Sequence, residues 1–202
     1  MPSDHIYIRP ESWDKPFEAP EHVCSSYDNC HVPWGSTHEK TWHLVKTLPH
    51  VSGLFVWTGF DYLGEPTPYW WPSRSSFFGI VDLAGFPKDV YYMYKSEWTD
   101  EPVLHIFPHW NWKEGEPVDI WAYYNNADEV ELYLNGKSLG VRQKTDSTYH
   151  VSWRVPFTPG TLRAVSRLGG KEVLVEEIHT AGEPARLVLT PDRSVIQADG
   201  SD

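Results

Sequence analysis

Trp57, Asp61, Glu65, Tyr69, Trp70, Trp71 and Arg74 crowd one short stretch of the sequence. Flat aromatic faces beside carboxylates and a guanidinium are the composition of a sugar site. The rings stack on the apolar C–H face of a pyranose, and the polar groups hydrogen-bond its hydroxyls. Packing is the competing role for each ring, because tryptophan is commonly a core or interface residue. Asp61 and Glu65 do not read as a catalytic pair. A retaining glycosidase needs two carboxyls about 5–5.5 Å apart, and nothing holds two residues of a proline-bearing loop at that separation. Asn29, in YDNCHVPWG, either orients a hydroxyl or closes a turn.

Other chemistries lack their residues. There is no G-x-S-x-G elbow, no phosphate-binding glycine loop and no HExxH among the ten histidines. Cys24 and Cys30, flanked by His22 and His31, have a spacing that does not match a zinc site, so no metal and no cofactor is expected. The two thiols are either free or joined in a local disulfide.

The elements that must carry these residues are legible in two grammars. From Ser36 the pattern is helical: Ser36 to Glu39 fits a capping box, and Trp42, Val45 and Lys46 follow at helical spacing. Leu54 to Trp57 is an apolar run without alternation, which predicts a strand buried on both faces. An irregular stretch follows from about Asp61 to Ser76, and long loops of this kind are often functional. PKDVYYMYKSEW then reads as a second helix, opened by Pro87. Helix, buried strand, long loop and helix compose one unit of an α/β barrel, whose active face is built by the loops after the strands.

From about Pro102 short alternating strands take over: Val103 to Trp110, Pro117 to Asn125, Glu129 to Leu134, Lys137 to Arg142, His150 to Phe157, Leu162 to Arg167 and Glu172 to His179. Their spacing predicts a β-sandwich. Asn135-Gly136 marks a two-residue hairpin.

The chain has 202 residues and a net charge of −11, with no basic cluster, which excludes a nucleic-acid partner. No apolar run approaches the ~18 residues of a membrane span. Of the 30 aromatic residues, 20 lie in residues 1–98, so the two grammars differ in composition as well. The start has no signal-peptide pattern, and a closing pair of short apolar runs, Leu187 to Leu189 and Val195-Ile196, cannot bury a face alone. Both ends therefore read as cuts through a longer protein.

The strings SSYDNCHVPWGSTHEKTWHLVK, GLFVWTGFDYLGEPTPY and PSRSSFFGIVDLAGFPKDVYYMYKSEW resemble the end of the catalytic barrel of glycoside hydrolase family 2, in its β-galactosidase-like branch. IWAYYNNADEVELYLNGKSLG resembles the immunoglobulin-like sandwich that follows that barrel. The resemblance implies a multidomain fragment. Residues 1–98 would be the C-terminal part of a (β/α)8 TIM barrel, 99–182 an all-β immunoglobulin-like sandwich and 183–202 the start of a further sandwich. It implies that Leu54 to Trp57 is the eighth barrel strand, that Trp57 lines the subsite where the bond is cleaved, and that the Trp57–Thr58 peptide is cis.

By the same resemblance Trp57, Asp61, Arg74 and Asn29 are the substrate-side residues, the last three with hydroxyl-binding or structural roles, and the substrate is a β-galactoside-like glycan. The family's two catalytic glutamates would lie before Met1, and the chain has no Asn-Glu pair, so no catalytic residue is expected here. The fragment would be inactive alone and would pack against the rest of its own barrel. The parent's compartment is left open, a periplasmic or secreted bacterial location being compatible with the family. The alternative is a non-catalytic carbohydrate-binding or spacer module. Coplanar exposed rings at Trp110, Trp112 and Trp121 would favour binding, and buried ones a spacer.

Overall fold

The computed structural model describes residues 25–29, 31, 35–66, 71–198 and 200. Seven antiparallel strands form two sheets: β1 (Leu104–Phe107), β2 (Pro117–Tyr124) and β5 (His150–Pro156) in one, ordered β1-β2-β5, and β3 (Glu129–Leu134), β4 (Lys137–Arg142), β6 (Thr161–Leu168) and β7 (Lys171–His179) in the other, ordered β4-β3-β6-β7. Every strand sits where the alternating runs predict one, and the sandwich is confirmed. Asn135 and Gly136 both take positive φ, 50° and 80°, which the tight β3–β4 turn requires. The core between the sheets includes Trp110, Ile120, Leu132, Trp153 and Leu162. The indole N–H groups of Trp110 and Trp153 donate to Thr158 O (3.0 Å) and Gly140 O (3.0 Å), so neither ring buries an unpaired donor.

Strand β2 alternates in type yet is buried along both faces. Val118, Ile120, Ala122 and Tyr124 face the sandwich core, while Trp121 and Tyr123 enter a second core with Tyr27, Met93, Tyr94, Phe107 and Tyr149. That second core joins the sandwich to two helices, α1 (His38–Thr47) and α2 (Asp89–Trp98). Part of the aromatic content of residues 1–98 is packed here. Tyr27, Trp42 and Tyr94 pack in this seam.

Both helices occur close to where they are predicted, but α1 is capped differently. Ser36 and Glu39 form no capping box. Thr37 occupies the N-cap without a side-chain hydrogen bond, and the Asp28 carboxylate accepts the N–H groups of His38 (2.8 Å) and Glu39 (2.6 Å) instead. A carboxylate at a helix N-terminus also opposes the positive end of the macrodipole. Glu39 is thereby released to bond His150 Nδ1 at 2.7 Å across the seam.

The buried strand expected over Leu54 to Trp57 is absent. The segment pairs with no neighbour in a ladder, and Phe55 is fully exposed. A strand buried on both faces needs partners at both edges and layers on both sides, and among the described residues none flank it. The expected strand pair after residue 183 also does not form. Leu187, Val188, Leu189, Val195 and Ile196 are exposed, without a partner strand to satisfy a ladder. Cys24, Cys30, Tyr69 and Trp70 lie outside the described residues.

His105 on β1 ties the seam at its other end. Nε2 lies 2.8 Å from Asp89 Oδ1 on α2 and Nδ1 lies 3.4 Å from Glu176 Oε1 on β7, with the ring stacked on Tyr92 at 3.8 Å. Burial alone would lower the imidazole pKa, but the hydrogen bonds and charges of Asp89 and Glu176 outweigh it and raise the value to about 9.

Two outcomes are expected. Asp28→Ala costs about 1–2 kcal/mol of stability in urea denaturation, while Ser36→Ala stays within about 0.5 kcal/mol. For His105 the folded-state pKa lies above the unfolded value of about 6.5, so its contribution is complete below that pH and is lost as pH rises through about 9. The loss is on the order of 3 kcal/mol. Stability curves from pH 6 to 10 should show it in the wild type, and His105→Gln should flatten it.

Candidate functional site

Trp57 follows α1 on a segment that has no ladder of its own but is braced from the side. Thr58 N–H donates to Phe78 O (3.0 Å), Ile80 N–H to Thr58 O (3.0 Å), Val81 N–H to Gly59 O (3.0 Å) and Asp61 N–H to Val81 O (2.9 Å). The segment 78–81 is held in turn by Lys88 N–H to Ile80 O at 2.9 Å, just before α2 begins. The Trp57–Thr58 peptide is cis, as the resemblance implies. On this braced turn the Trp57 ring stays 71% exposed, in contrast to the buried Trp110 and Trp121.

Asp61 supplies the brace. Its Oδ1 accepts the Gly79 N–H at 2.8 Å and its Oδ2 pairs with Lys88 Nζ at 2.7 Å, while Lys88 Nζ also donates to Phe77 O at 3.2 Å. Of the two roles expected for Asp61, these contacts fill the structural one. Gly79 is required by close approach: a Cβ there would lie 2.1 Å from Asp61 N and 2.4 Å from the Phe60 carbonyl carbon.

The described parts of the stretch Asp61 to Ser76 are less irregular than the sequence suggests. Leu63 pairs with Ser75, Gly64 N–H donates to Arg74 O (2.7 Å) and Ser76 N–H donates to Tyr62 O (2.8 Å), which makes a hairpin whose base is pinned by the buried Ser76. Tyr62 meets Trp57 edge-on, with centroids 6.2 Å apart and planes at 83°, and its hydroxyl donates to Glu65. That bond raises the Tyr62 pKa. Glu65 and Asp61 thus serve different partners. The Arg74 guanidinium lies 4.8 Å from the Trp71 ring centroid, an exposed cation–π pair.

Trp57 and Asp61 share one turn, and Arg74 stands on the opposing arm of the hairpin. Asn29 belongs elsewhere: it is buried, accepts the Ser25 hydroxyl at 3.1 Å and lines a cleft of about 290 Å³ with Asp28, Glu39, His43 and Tyr149. Tyr62, Gly79 and Lys88 went unnoticed in the sequence. Lys88 reads there as an ordinary helix-start residue, and only Gly79 in FFGIVD hints at a close approach.

On the sandwich, Trp110 and Trp121 are buried and Trp112 is half-buried, stacked on His109 at 5.0 Å, so these three do not form a coplanar exposed platform. Among the described residues no cluster of three or more His, Cys, Asp or Glu could hold a metal ion, and no helix is long and apolar enough to cross a membrane.

Comparison with known proteins supplies the class. A family described as "Domain of unknown function (DUF4982)" matches residues 115–174, from β2 into β7. Over its whole length the chain is similar to a segment of a glycoside hydrolase family 2 protein. In particular it is similar to the β-galactosidase BoGH2A of Bacteroides ovatus, 62% identical over all 202 residues and 24% of that protein. A β-glucuronidase of Formosa agariphila is 33% identical over 61% of this chain and 13% of its own length. The crystal structure of a β-glycosidase from Bacteroides vulgatus superposes with a TM-score of 0.74 at 38% identity, covering 87% of this chain and 22% of that one. The chain spans a quarter or less of each of these relatives.

Gly79→Ala is expected to destabilise the protein by about 1–3 kcal/mol, because backbone atoms on the Asp61 turn must shift. Hydrogen exchange should report the loss first at the amides of Thr58, Asp61 and Val81.

Proposed function

We propose that this chain is one segment of a retaining exo-β-glycosidase, most simply a β-galactosidase, in which Trp57 is the sugar platform of the cleavage subsite. The observation that carries the reading is the exposed indole on a turn braced by Asp61, Gly79 and Lys88. A large apolar ring left in water on a fixed backbone is a surface prepared for a partner, and 62% identity to a β-galactosidase supports a pyranose as that partner. The chemistry is double displacement: acid-assisted departure of the aglycone, a glycosyl ester on a carboxylate, then hydrolysis by activated water. Its two carboxylates are supplied from outside these 202 residues. Among the described carboxylates of the Trp57 region, Asp61 is engaged by Gly79 and Lys88 and Glu65 by Tyr62.

In this reading residues 1–98 complete a (β/α)8 barrel, which supplies the strands missing beside Leu54 to Trp57 and covers exposed groups such as Phe55. Residues 99–182 are an immunoglobulin-like sandwich acting as a spacer, which the burial of Trp110 and Trp121 favours over a separate sugar-binding face. Residues 183–202 begin a further sandwich. Arg74, with Trp71, flanks the platform, and Asn29 shapes the seam.

In the full-length enzyme, Trp57→Ala should lower kcat/KM on nitrophenyl β-galactoside by at least roughly tenfold, the equivalent of about 1.4 kcal/mol. Residues 1–202 alone should give no turnover. Retained activity in that variant would remove the platform, and faster hydrolysis of nitrophenyl β-glucuronide would change the sugar.

A further inference from the structure

We infer that Tyr62 is the positioning residue for the sugar platform: it holds the exposed Trp57 ring from its edge and is itself fixed by Glu65. The inference rests on the reading of Trp57 given above. An indole that is 71% exposed has little packing to select one rotamer, and the ring contact it makes among the described residues is with Tyr62. Tyr62 is mounted rigidly. Its N–H donates to the buried Ser76 Oγ at 3.1 Å and its carbonyl accepts Ser76 N–H at 2.8 Å, so the phenol moves only with the base of the hairpin.

The polar atoms continue the line. Tyr62 O–H donates to the Glu65 carboxylate. A hydroxyl that donates to a carboxylate makes a charge-assisted bond, stronger than one between neutral groups, and it fixes the phenol that edges the Trp57 ring. The backbone shows what places Glu65 there. Gly64 and Glu65 take consecutive positive φ values, 93° and 43°, which return the side chain at 65 over the residue three positions earlier. A glutamate pays a left-handed penalty that glycine would avoid, and the Tyr62 bond is what its side chain gains.

The test is steady-state kinetics of the full-length enzyme on nitrophenyl β-galactoside, with thermal unfolding as control. Tyr62→Phe keeps the edge contact and removes the hydroxyl, and Glu65→Ala removes the charge. Each should raise KM roughly three- to tenfold with kcat changed less than about twofold, the signature of weakened sugar binding. Glu65→Gln retains an acceptor and should recover most of the loss. Trp57→Ala leaves no ring to position, so adding Tyr62→Phe to it should have no further effect. Additive losses in that double variant would overturn the inference, as would Tyr62→Phe within about twofold of wild type beside a Trp57→Ala variant that loses tenfold, a result that leaves the platform standing. Wild-type kinetics in Trp57→Ala would remove the platform reading itself, and this one with it.

Discussion

The fold depends on a strand that must satisfy two cores at once. In β2, Ile120 and Ala122 point into the sandwich while Trp121 and Tyr123 point at the helices, so one register serves both sides and a slip of one residue would exchange them. Trp121 is the centre of the arrangement. His150 stacks on it at 3.6 Å with planes 4° apart, and Tyr27 meets it edge-on at 5.1 Å. The rings bury a large apolar area, and the polar atoms at their rims choose the orientation: Tyr27 O–H donates to Asp119 O at 2.7 Å and His150 reaches Glu39 on α1.

Several charged groups around this seam are paired. Asp119 holds Arg154 directly across the β2–β5 pair with two bonds, 2.8 and 3.0 Å. Glu97 gathers the Trp42 indole N–H, Lys46 and Lys144 from three directions; burial raises its pKa, but the Lys46 and Trp42 bonds and the lysine charges bring it below the ordinary carboxylate value. Lys144 also donates to the Tyr124 carbonyl at 2.7 Å. Fixed ion pairs of this kind define which face of each helix meets the sandwich, because a helix rotated out of register would leave a buried charge alone.

The same residue type serves opposite ends in the two regions. Trp110, Trp121 and Trp153 are buried, while Trp57 and Trp71 remain in water on a hairpin whose backbone is cross-braced. The difference lies in the supporting contacts. Trp110 and Trp153 are covered between the sheets and Trp121 by the helix seam, whereas the polar bonds of Asp61, Gly79, Lys88 and Ser76 hold the turn and leave the rings uncovered.

Much of the fold was legible because its signals are local. Period-two alternation located the seven strands of the described residues, Asn135-Gly136 located a turn that needs positive φ, and the helices followed from the spacing of Trp42, Val45 and Lys46 and from the stretch opened by Pro87. The resemblance located Trp57 and the cis peptide after it. What the sequence could not settle were the partners across space. The sequence reads a capping box at Ser36 to Glu39, and only folding brings Asp28, ten residues upstream, to His38 in its place. Likewise the sequence leaves Asp61 between a hydroxyl-binding and a structural role, and only folding brings Gly79 and Lys88 against it and packs Tyr27, Trp42 and Tyr94 into a seam. The sequence by itself determined the sandwich strands and the two helices, but at Leu54 to Trp57 it predicted a buried strand where the chain makes an exposed turn. The tertiary structure decided which polar groups are spent on holding that turn, because hydrogen bonds and ring contacts are fixed by distance in space and not along the chain.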